Sequence, residues 1–563
     1  MMNMSNKSFT VLFFLFLLLR LDALAVTLPD STLHKIDSLF MPWDKPDSPG
    51  CAIGIISNDS LIIAKGYGMA NLEYGIPITP ATIFQIASVS KQFTAYAIVL
   101  LARQEKLSLE DDIRKYLPWF PDLGEKITIR QLMNHTSGIR DQWQLLAISG
   151  TRLDDVITQE HVIKVLSRQR ALNFKPGSNY NYSNSGFTLL AEIVKSVTGT
   201  TLRKFADSLI FKPLEMNSTH FQDNYMEIVK DRACSYERNS SGGYSLSNMS
   251  ISNVGATGVL TNVKDLSKWI INFYAPRTGD QQDIEQLVER ARLNDGVVLN
   301  YAMGLTSDTF KGWRQYSHGG NLAGYRTYMM VFPDLKMGFV VLSNDADFVA
   351  NGKTYELAAL FVKDTTANPI KREIIPTDST IAILNDIDSV TDLLGDYISD
   401  EGMHLSFDIR QSRLYYHLNG QKFMLVRESK STFMAFDEPQ VTFTFTGKGM
   451  DTELEISFEG ISRIFKKTVR ITSPSTALMQ TYTGRYYCPE LECYYQIVLK
   501  NNRLFLTHNK YNDIMLTLID ENHLVNDTWW MSNLVFIRNK KNVITGFEIN
   551  SNRVMHLRFN KVE

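Results

Sequence analysis

Ile86-Ala87-Ser88-Val89-Ser90-Lys91 runs straight into Gln92-Phe93-Thr94-Ala95-Tyr96-Ala97-Ile98-Val99-Leu100-Leu101. After Lys91 the segment is apolar on nearly every side, which predicts a helix buried in the interior. Ser88 then stands at the mouth of that helix, in the positive end of its dipole. Lys91, three residues on, lies on the same face beside it. A buried ammonium is costly unless it is paired or its pKa falls. A lysine of depressed pKa next to a serine hydroxyl makes an activated nucleophile.

Working outward from this helix, Pro29 to Met41 reads as an amphipathic helix with Leu33, Ile36, Leu39 and Phe40 on one side. Cys51 to Ile56 and Leu61 to Gly66 form a hairpin about Ser57-Asn58-Asp59, and Tyr325 to Phe332 and Met337 to Leu342 form another about Pro333-Asp334. Each hairpin needs partners to be stable, so one antiparallel sheet built from both ends of the domain is expected, with the helical middle packed against it. Helices are expected at Gly186 to Thr198, stopped by Gly199, and at Val263 to Phe273. The polar stretch Glu237 to Asn248 reads as an exposed loop. From Lys363 to Thr380 the chain turns polar, with Pro369 and Pro376, and reads as a linker. Beyond it the sequence is strand-like and repeats. Leu394-Gly395-Asp396-Tyr397 is echoed by Thr483-Gly484-Arg485-Tyr486, and Ser412-Arg413-Leu414-Tyr415-Tyr416 by Asn502-Arg503-Leu504-Phe505-Leu506. Two copies of a small all-β domain, joined near Ser473-Pro474-Ser475, are expected; a single large β-sandwich is the competing arrangement.

The chain has 563 residues, 44% apolar and 21% charged, with a net charge of -2. Its length asks for several domains, and its charge gives no reason to expect nucleic acid as a partner. Lys7, the apolar run Phe9 to Leu19 and Ala23-Leu24-Ala25 read as a secretory signal cut after Ala25. That run is too short to span a bilayer. A periplasmic or extracellular protein without a stable membrane span is expected. Domain limits follow at 1–25 for the signal, 26–363 for the catalytic domain, 364–386 for the linker, and 387–470 and 471–563 for the two β repeats. Cys488 and Cys493, enclosing Pro489-Glu490-Leu491-Glu492, are candidates for a local disulfide. The histidines and cysteines lack zinc spacing, and there is no P-loop or dinucleotide fingerprint, so no metal and no cofactor are expected.

Alone, Ser88-x-x-Lys91 is weak, since roughly two such spacings arise by chance in a chain this long. A second candidate is Tyr180-Asn181-Tyr182-Ser183-Asn184-Ser185-Gly186. Residues two apart in an extended segment point the same way, so Tyr182 and Asn184 can face one site, although Asn184 or Ser185 could simply cap a helix. The third is His318-Gly319-Gly320-Asn321, where two glycines leave a strand edge bare for a substrate; an exposed N–H there suits an oxyanion.

Taken together, these three segments resemble the serine β-lactamase and penicillin-binding-protein superfamily, whose elements are S-x-x-K, a tyrosine or serine with asparagine two residues on, and K-T-G or H-x-G. The resemblance is to the branch holding class C β-lactamases, D-alanyl-D-alanine carboxypeptidases, D-aminopeptidases and related esterases. Leu132-Met133-Asn134-His135-Thr136-Ser137-Gly138, Phe174-Lys175-Pro176-Gly177 and Gly255-Ala256-Thr257-Gly258 also match, and the likeness covers about Pro29 to Ala359. It implies an α+β β-lactamase-like catalytic domain, with antiparallel sheet and helical region. The β repeats lie outside the likeness, although the D-aminopeptidase subgroup is similar in carrying two β-barrel domains after its catalytic domain. A multidomain protein ending in two small all-β barrel-like domains is expected. The likeness further implies that Ser88 is acylated, that Lys91 shuttles its proton, and that Tyr182 passes a proton to the leaving group. Asn184 would hold Lys91 and the substrate amide, His318 would tune Tyr182, and the N–H groups of Ser88 and Asn321 would hold the oxyanion beside Gly319 and Gly320. Whether lysine or tyrosine is the base stays open. His135 would hold the loop of its own segment.

Two departures bear on substrate. The third motif begins with His318 rather than lysine, which fits the peptidase and esterase branch better than true class C β-lactamases. Gly319 replaces a hydroxyl-bearing residue, and a site missing such a donor should recognise a free carboxylate less well; Arg326 is expected to face solvent or a neighbouring charge rather than compensate. The expected function is an exported serine hydrolase acting on small-molecule or peptide substrates, with peptidoglycan-derived ones among them. A true β-lactamase and a catalytically silent ligand-binding receptor are the alternatives, and the oligomeric state stays open. If the β repeats are accessory, deleting everything after Lys363 should spare ester turnover; loss of activity would mean that they reach over the site.

Overall fold

A computed structural model describes residues 28–365 and 388–562, apart from 419, 437–440, 459–460 and 552. The expected signal segment, and the linker from 366 on, lie outside the described residues.

The two hairpins do share one sheet. Its six antiparallel strands run in the order Thr306–Phe310, Trp313–Leu322, Tyr325–Phe332, Met337–Ser343, Cys51–Ser57 and Ser60–Tyr67. The seam between chain ends is the register Cys51 opposite Ser343 through Ser57 opposite Met337. Cys51–Ser57 is buried almost throughout, because both faces of this central strand are covered. On one face the helices Asp30–Phe40 and Ala350–Ala359 bury Ile36, Phe40, Leu357 and Ala358 against Ile53, Ile55, Phe339 and Val341. On the other lies Val263–Asn272, its start capped by Asn262 on Asp265 N. The helical middle packs beyond it, and Asn184–Thr198 ends at Gly199 in a left-handed C-cap, φ +69°. The stretch 237–248 differs from the expected loop: Tyr236–Arg238 and Tyr244–Leu246 pair as a short hairpin.

The β repeats are two closed eight-stranded barrels, spanning Gly395–Ser399 to Ile461–Thr468 and Gly484–Cys488 to Val554–Lys561. Closure removes the sheet edges that an open sandwich would leave. The repeated Gly-x-Tyr has one role in both copies. Tyr397 donates to Leu393 O at 3.0 Å and Tyr486 to Tyr482 O at 2.6 Å, each pinning the turn before the first strand. Cys488 and Cys493 are direct cross-strand neighbours and both are free thiols, as are Cys51 and Cys234.

The second barrel is fastened to the segment that follows Gly138. Arg140, wholly buried, donates to Met555 O and His556 O and forms an ion pair with Glu490 at 2.6 Å. Gln144 donates to Trp530 O and Ser551 O. Asp141 N and Asn173 Nδ2 both donate to Arg553 O. The repeats therefore reach the site described next.

Candidate active site

Ser88 lies in the 3-10 turn Ala87–Ser90, which leads into the helix Lys91–Arg103. Ala87 holds a left-handed φ of +49°, uncommon without glycine, and its N–H donates to Gln85 Oε1 at 2.6 Å. Residues Lys91 to Leu101 of the helix are all buried, as the apolar pattern predicts, whereas Ser88 keeps some solvent exposure.

Lys91 Nζ contacts Ser88 Oγ at 3.0 Å, Asn184 Oδ1 at 2.9 Å and Ala256 O at 2.9 Å. It also lies 4.8 Å from the Tyr182 ring centroid. Burial drives the Lys91 pKa well below the ordinary lysine range; Asp141 opposes the shift and Arg553 adds to it. The orientation of Asn184 is fixed, because its N and Nδ2 both donate to Asp141 Oδ2, at 2.8 and 2.7 Å. The other carboxylate oxygen, Asp141 Oδ1, caps the helix Gln142–Ile148. Asn184 Oδ1 and Ala256 O are thus pure acceptors. A neutral amine has two N–H bonds and one lone pair. With both N–H bonds given to those oxygens, the lone pair faces Ser88 Oγ.

The segment Gly255-Ala256-Thr257-Gly258 is brought in close by glycine. A Cβ at Gly255 would stand 2.2 Å from Phe187 O, and φ there is +109°. At the opposite wall a Cβ on Gly320 would meet Ile86 O at 2.3 Å. The strand Trp313–Leu322 can therefore lie directly against the turn that carries Ser88.

Burial raises the Tyr182 pKa above the usual tyrosine value, while the neighbouring Ser88 hydroxyl and Arg553 oppose the rise. His318 does not reach Tyr182 by a hydrogen bond; the rings are 6.3 Å apart. It bonds instead to Tyr301 Oη at 2.9 Å through Nε2 and to Gly319 O at 2.6 Å through Nδ1. Burial drops its pKa to about 3, so it is neutral. His135 extends beyond its own segment: Nδ1 accepts from Ser183 N at 3.2 Å, Nε2 meets Tyr301 Oη at 3.1 Å, and the ring lies 4.1 Å from that of Tyr182. One set of protons satisfies every contact. His135 Nε2–H donates to Tyr301, Tyr301 O–H donates to His318 Nε2, and His318 Nδ1–H donates to Gly319 O. Tyr301→Phe should leave both imidazoles short of a partner and cost about 1–3 kcal/mol. The expected result is a lowered Tm with the fold retained, read by thermal denaturation against the wild type.

The structure thus brings Ser88, Lys91, Tyr182 and Asn184 together, with His318 one tyrosine further away and the strand of Gly319, Gly320 and Asn321 along one wall. Asp141, Tyr301 and Arg553 are the residues that sequence reasoning missed. Arg326 donates to Ala323 O and Tyr325 O at 2.7 and 2.9 Å, so it is engaged by its own turn. Among the described residues no cluster of three or more His, Cys, Asp or Glu side chains is placed to hold a metal ion, and no helix is long and apolar enough to cross a membrane.

Residues 38–362 match the family model described as Beta-lactamase. That is more than half of the chain, and the chain belongs to the beta-lactamase family, within the superfamily of β-lactamase-like and penicillin-binding-protein-like serine hydrolases. A D-aminopeptidase of Brucella anthropi is 29% identical over 296 residues, 53% of this chain and 56% of that protein. A D-aminopeptidase of Cereibacter sphaeroides (strain ATCC 17023) is 27% identical over 326 residues, 58% of this chain and 60% of its own length. The chain therefore spans a little over half the length of these relatives. Among solved structures, the octameric penicillin-binding protein homologue from Pyrococcus abyssi superposes with a TM-score of 0.55 at 24% identity, covering 78% of this chain and 99% of that one; this likeness is one of fold.

Proposed function

We propose that the protein hydrolyses amide or ester bonds through an acyl-enzyme on Ser88, acting on small or D-configured acyl donors outside the cytoplasm after removal of residues 1–25. The observation that carries this reading is the three-way coordination of Lys91, which leaves its lone pair for the Ser88 proton. Lys91 is pushed toward its neutral form and Tyr182 toward its protonated form, which favours Lys91 as the base and Tyr182 as the proton donor. The Ser88 Oγ–acyl carbon bond forms as the Oγ proton passes to Lys91 and the carbonyl electrons move to oxygen. That oxyanion is held by the N–H groups of Ser88 and Asn321. Collapse breaks the bond to the leaving group, which takes a proton by way of Tyr182. Water then attacks the acyl carbon, gives its proton back through the same pair, and releases Ser88. His135, Tyr301 and His318 position the Tyr182 segment in this scheme.

The D-aminopeptidase relatives support a D-amino-acid peptidase or amidase within this class, with esterase and carboxypeptidase activity as related outcomes. The test is a panel of nitrocefin, acyl-D-Ala-D-Ala, a D-amino-acid anilide and a short-chain nitrophenyl ester. Turnover of the peptide, anilide or ester with little of nitrocefin is expected. Efficient nitrocefin hydrolysis alone would make the protein a β-lactamase, and no turnover of any member would favour a silent receptor.

A further inference from the structure

Ser551 and Val554 pair where the last two strands of the second barrel meet, and this end of the barrel rests on the catalytic domain. It is clamped there. Asp141 N reaches Arg553 O at 3.1 Å, Asn173 Nδ2 reaches the same oxygen at 3.0 Å, Gln144 Nε2 reaches Ser551 O at 2.7 Å, and Met555 N returns a bond to Asn173 Oδ1 at 2.8 Å. All of these contacts use the Arg553 backbone or its neighbours. The side chain goes elsewhere: its guanidinium carbon lies 4.8 Å from the centroid of the Tyr182 ring, the same ring that Lys91 Nζ approaches to 4.8 Å. A guanidinium lying on an aromatic face keeps its N–H edge available. Arg553 is half-buried, and among the described residues its guanidinium makes no ion pair with a carboxylate.

We propose that Arg553 binds a free carboxylate on the substrate, next to the bond cleaved at Ser88, and so makes this site selective for anionic substrates. The proposal rests on the serine-hydrolase reading above and adds the substrate's charge to it. Two other places where such a donor could stand are closed: Gly319 has no side chain, and Arg326 is spent on backbone carbonyls. An Arg–carboxylate pair can be bidentate, which fixes direction as well as charge. A substrate with a free ammonium in the same place would instead meet a like charge. The second barrel would then act as a specificity element, carrying one residue into a site that the catalytic domain otherwise completes.

The test uses the full chain and matched substrate pairs. The mono-nitrophenyl ester of glutaric acid and nitrophenyl butyrate place or omit a carboxylate on the acyl side. Acyl-D-Ala-D-Ala and its C-terminal amide do so on the leaving-group side. The readout is the ratio of kcat/KM for the charged over the neutral member. Arg553→Gln keeps every backbone contact of the clamp and is expected to lower that ratio roughly tenfold to a hundredfold in at least one pair. Arg553→Lys, which keeps the charge, should recover part of it. Equal ratios in wild type and Arg553→Gln for both pairs would overturn the proposal while leaving the hydrolase reading intact. If the wild type turns over neither pair, affinity decides the proposal. Calorimetry on Ser88→Ala should then show N-acetyl-D-alanine binding tighter than its amide, and that difference should be lost on adding R553Q; no difference overturns it.

Discussion

Lys91→Met is expected to lower kcat/KM by about 10²–10⁴-fold toward every substrate the wild type accepts, the range for losing a positioned general base. The fold should survive. Methionine fills a similar volume, and the desolvation that depresses the Lys91 pKa disappears with the amine. Against that, Asn184 Oδ1 and Ala256 O each lose a donor, so the net change in Tm should be small. The sign of the pH dependence follows from the same shift. The base form is the neutral amine, so in the wild type kcat/KM should rise with pH through the depressed folded-state pKa of Lys91. Between that value and about 10.4 the unfolded chain binds a proton that the folded chain does not. Over that window the Lys91 contribution costs stability, by less as pH rises. A pH–rate profile checks this: its acidic limb should lie well below the ordinary lysine range and should be absent in the residual activity of the variant.

Arg140→Ala should have the second large effect, and it acts at a distance from Ser88. The guanidinium is wholly buried and is the partner of Glu490 as well as of two carbonyls of the second barrel. Removing one member of a buried ion pair costs about 3–5 kcal/mol, because the other charge is left without a partner. The same change loosens the segment whose next residue, Asp141, fixes Asn184 by accepting from its N and Nδ2. Both Tm and kcat/KM should fall. The double variant Arg140→Met with Glu490→Leu should be less destabilised than Arg140→Ala, since it leaves no orphaned charge. Equal destabilisation of the two would mean that the ion pair is not what fastens the barrel. By the same reasoning, truncation after Lys363 removes Glu490, Met555 and Arg553 together, and it should cost activity rather than spare it.

Much of this architecture is legible in the sequence where the signal is local. The Lys91 helix shows in its unbroken apolar run, the six-stranded sheet in two hairpins short of partners, and the barrels in the repeat of Gly-x-Tyr and Arg-Leu. Tyr182 and Asn184 are legible for the same reason, being two apart in an extended segment entering a helix. The missing residues belong to contacts between distant parts of the chain. Asp141 meets Asn184 across 43 positions, and His135 meets Tyr301 across 166. Neither pairing leaves a period or spacing to read. Asp141 reads locally as a helix cap, which it also is. Arg553 sits in an ordinary strand connection, and nothing in Ser551 to Val554 announces that the barrel delivers it to another domain. His135 departs from its expected role, since its side-chain bonds run to Ser183 N and Tyr301 Oη rather than within its own segment.

The most direct test of acyl transfer at Ser88 is adduct mass. The full chain and its Ser88→Ala variant are incubated with a fluorophosphonate and with a labelled penicillin, and intact mass is read. The account predicts a single adduct on the wild type with at least one reagent and none on Ser88→Ala. An adduct that persists in Ser88→Ala would place the nucleophile elsewhere, and a wild type that reacts with neither reagent would contradict the catalytic reading.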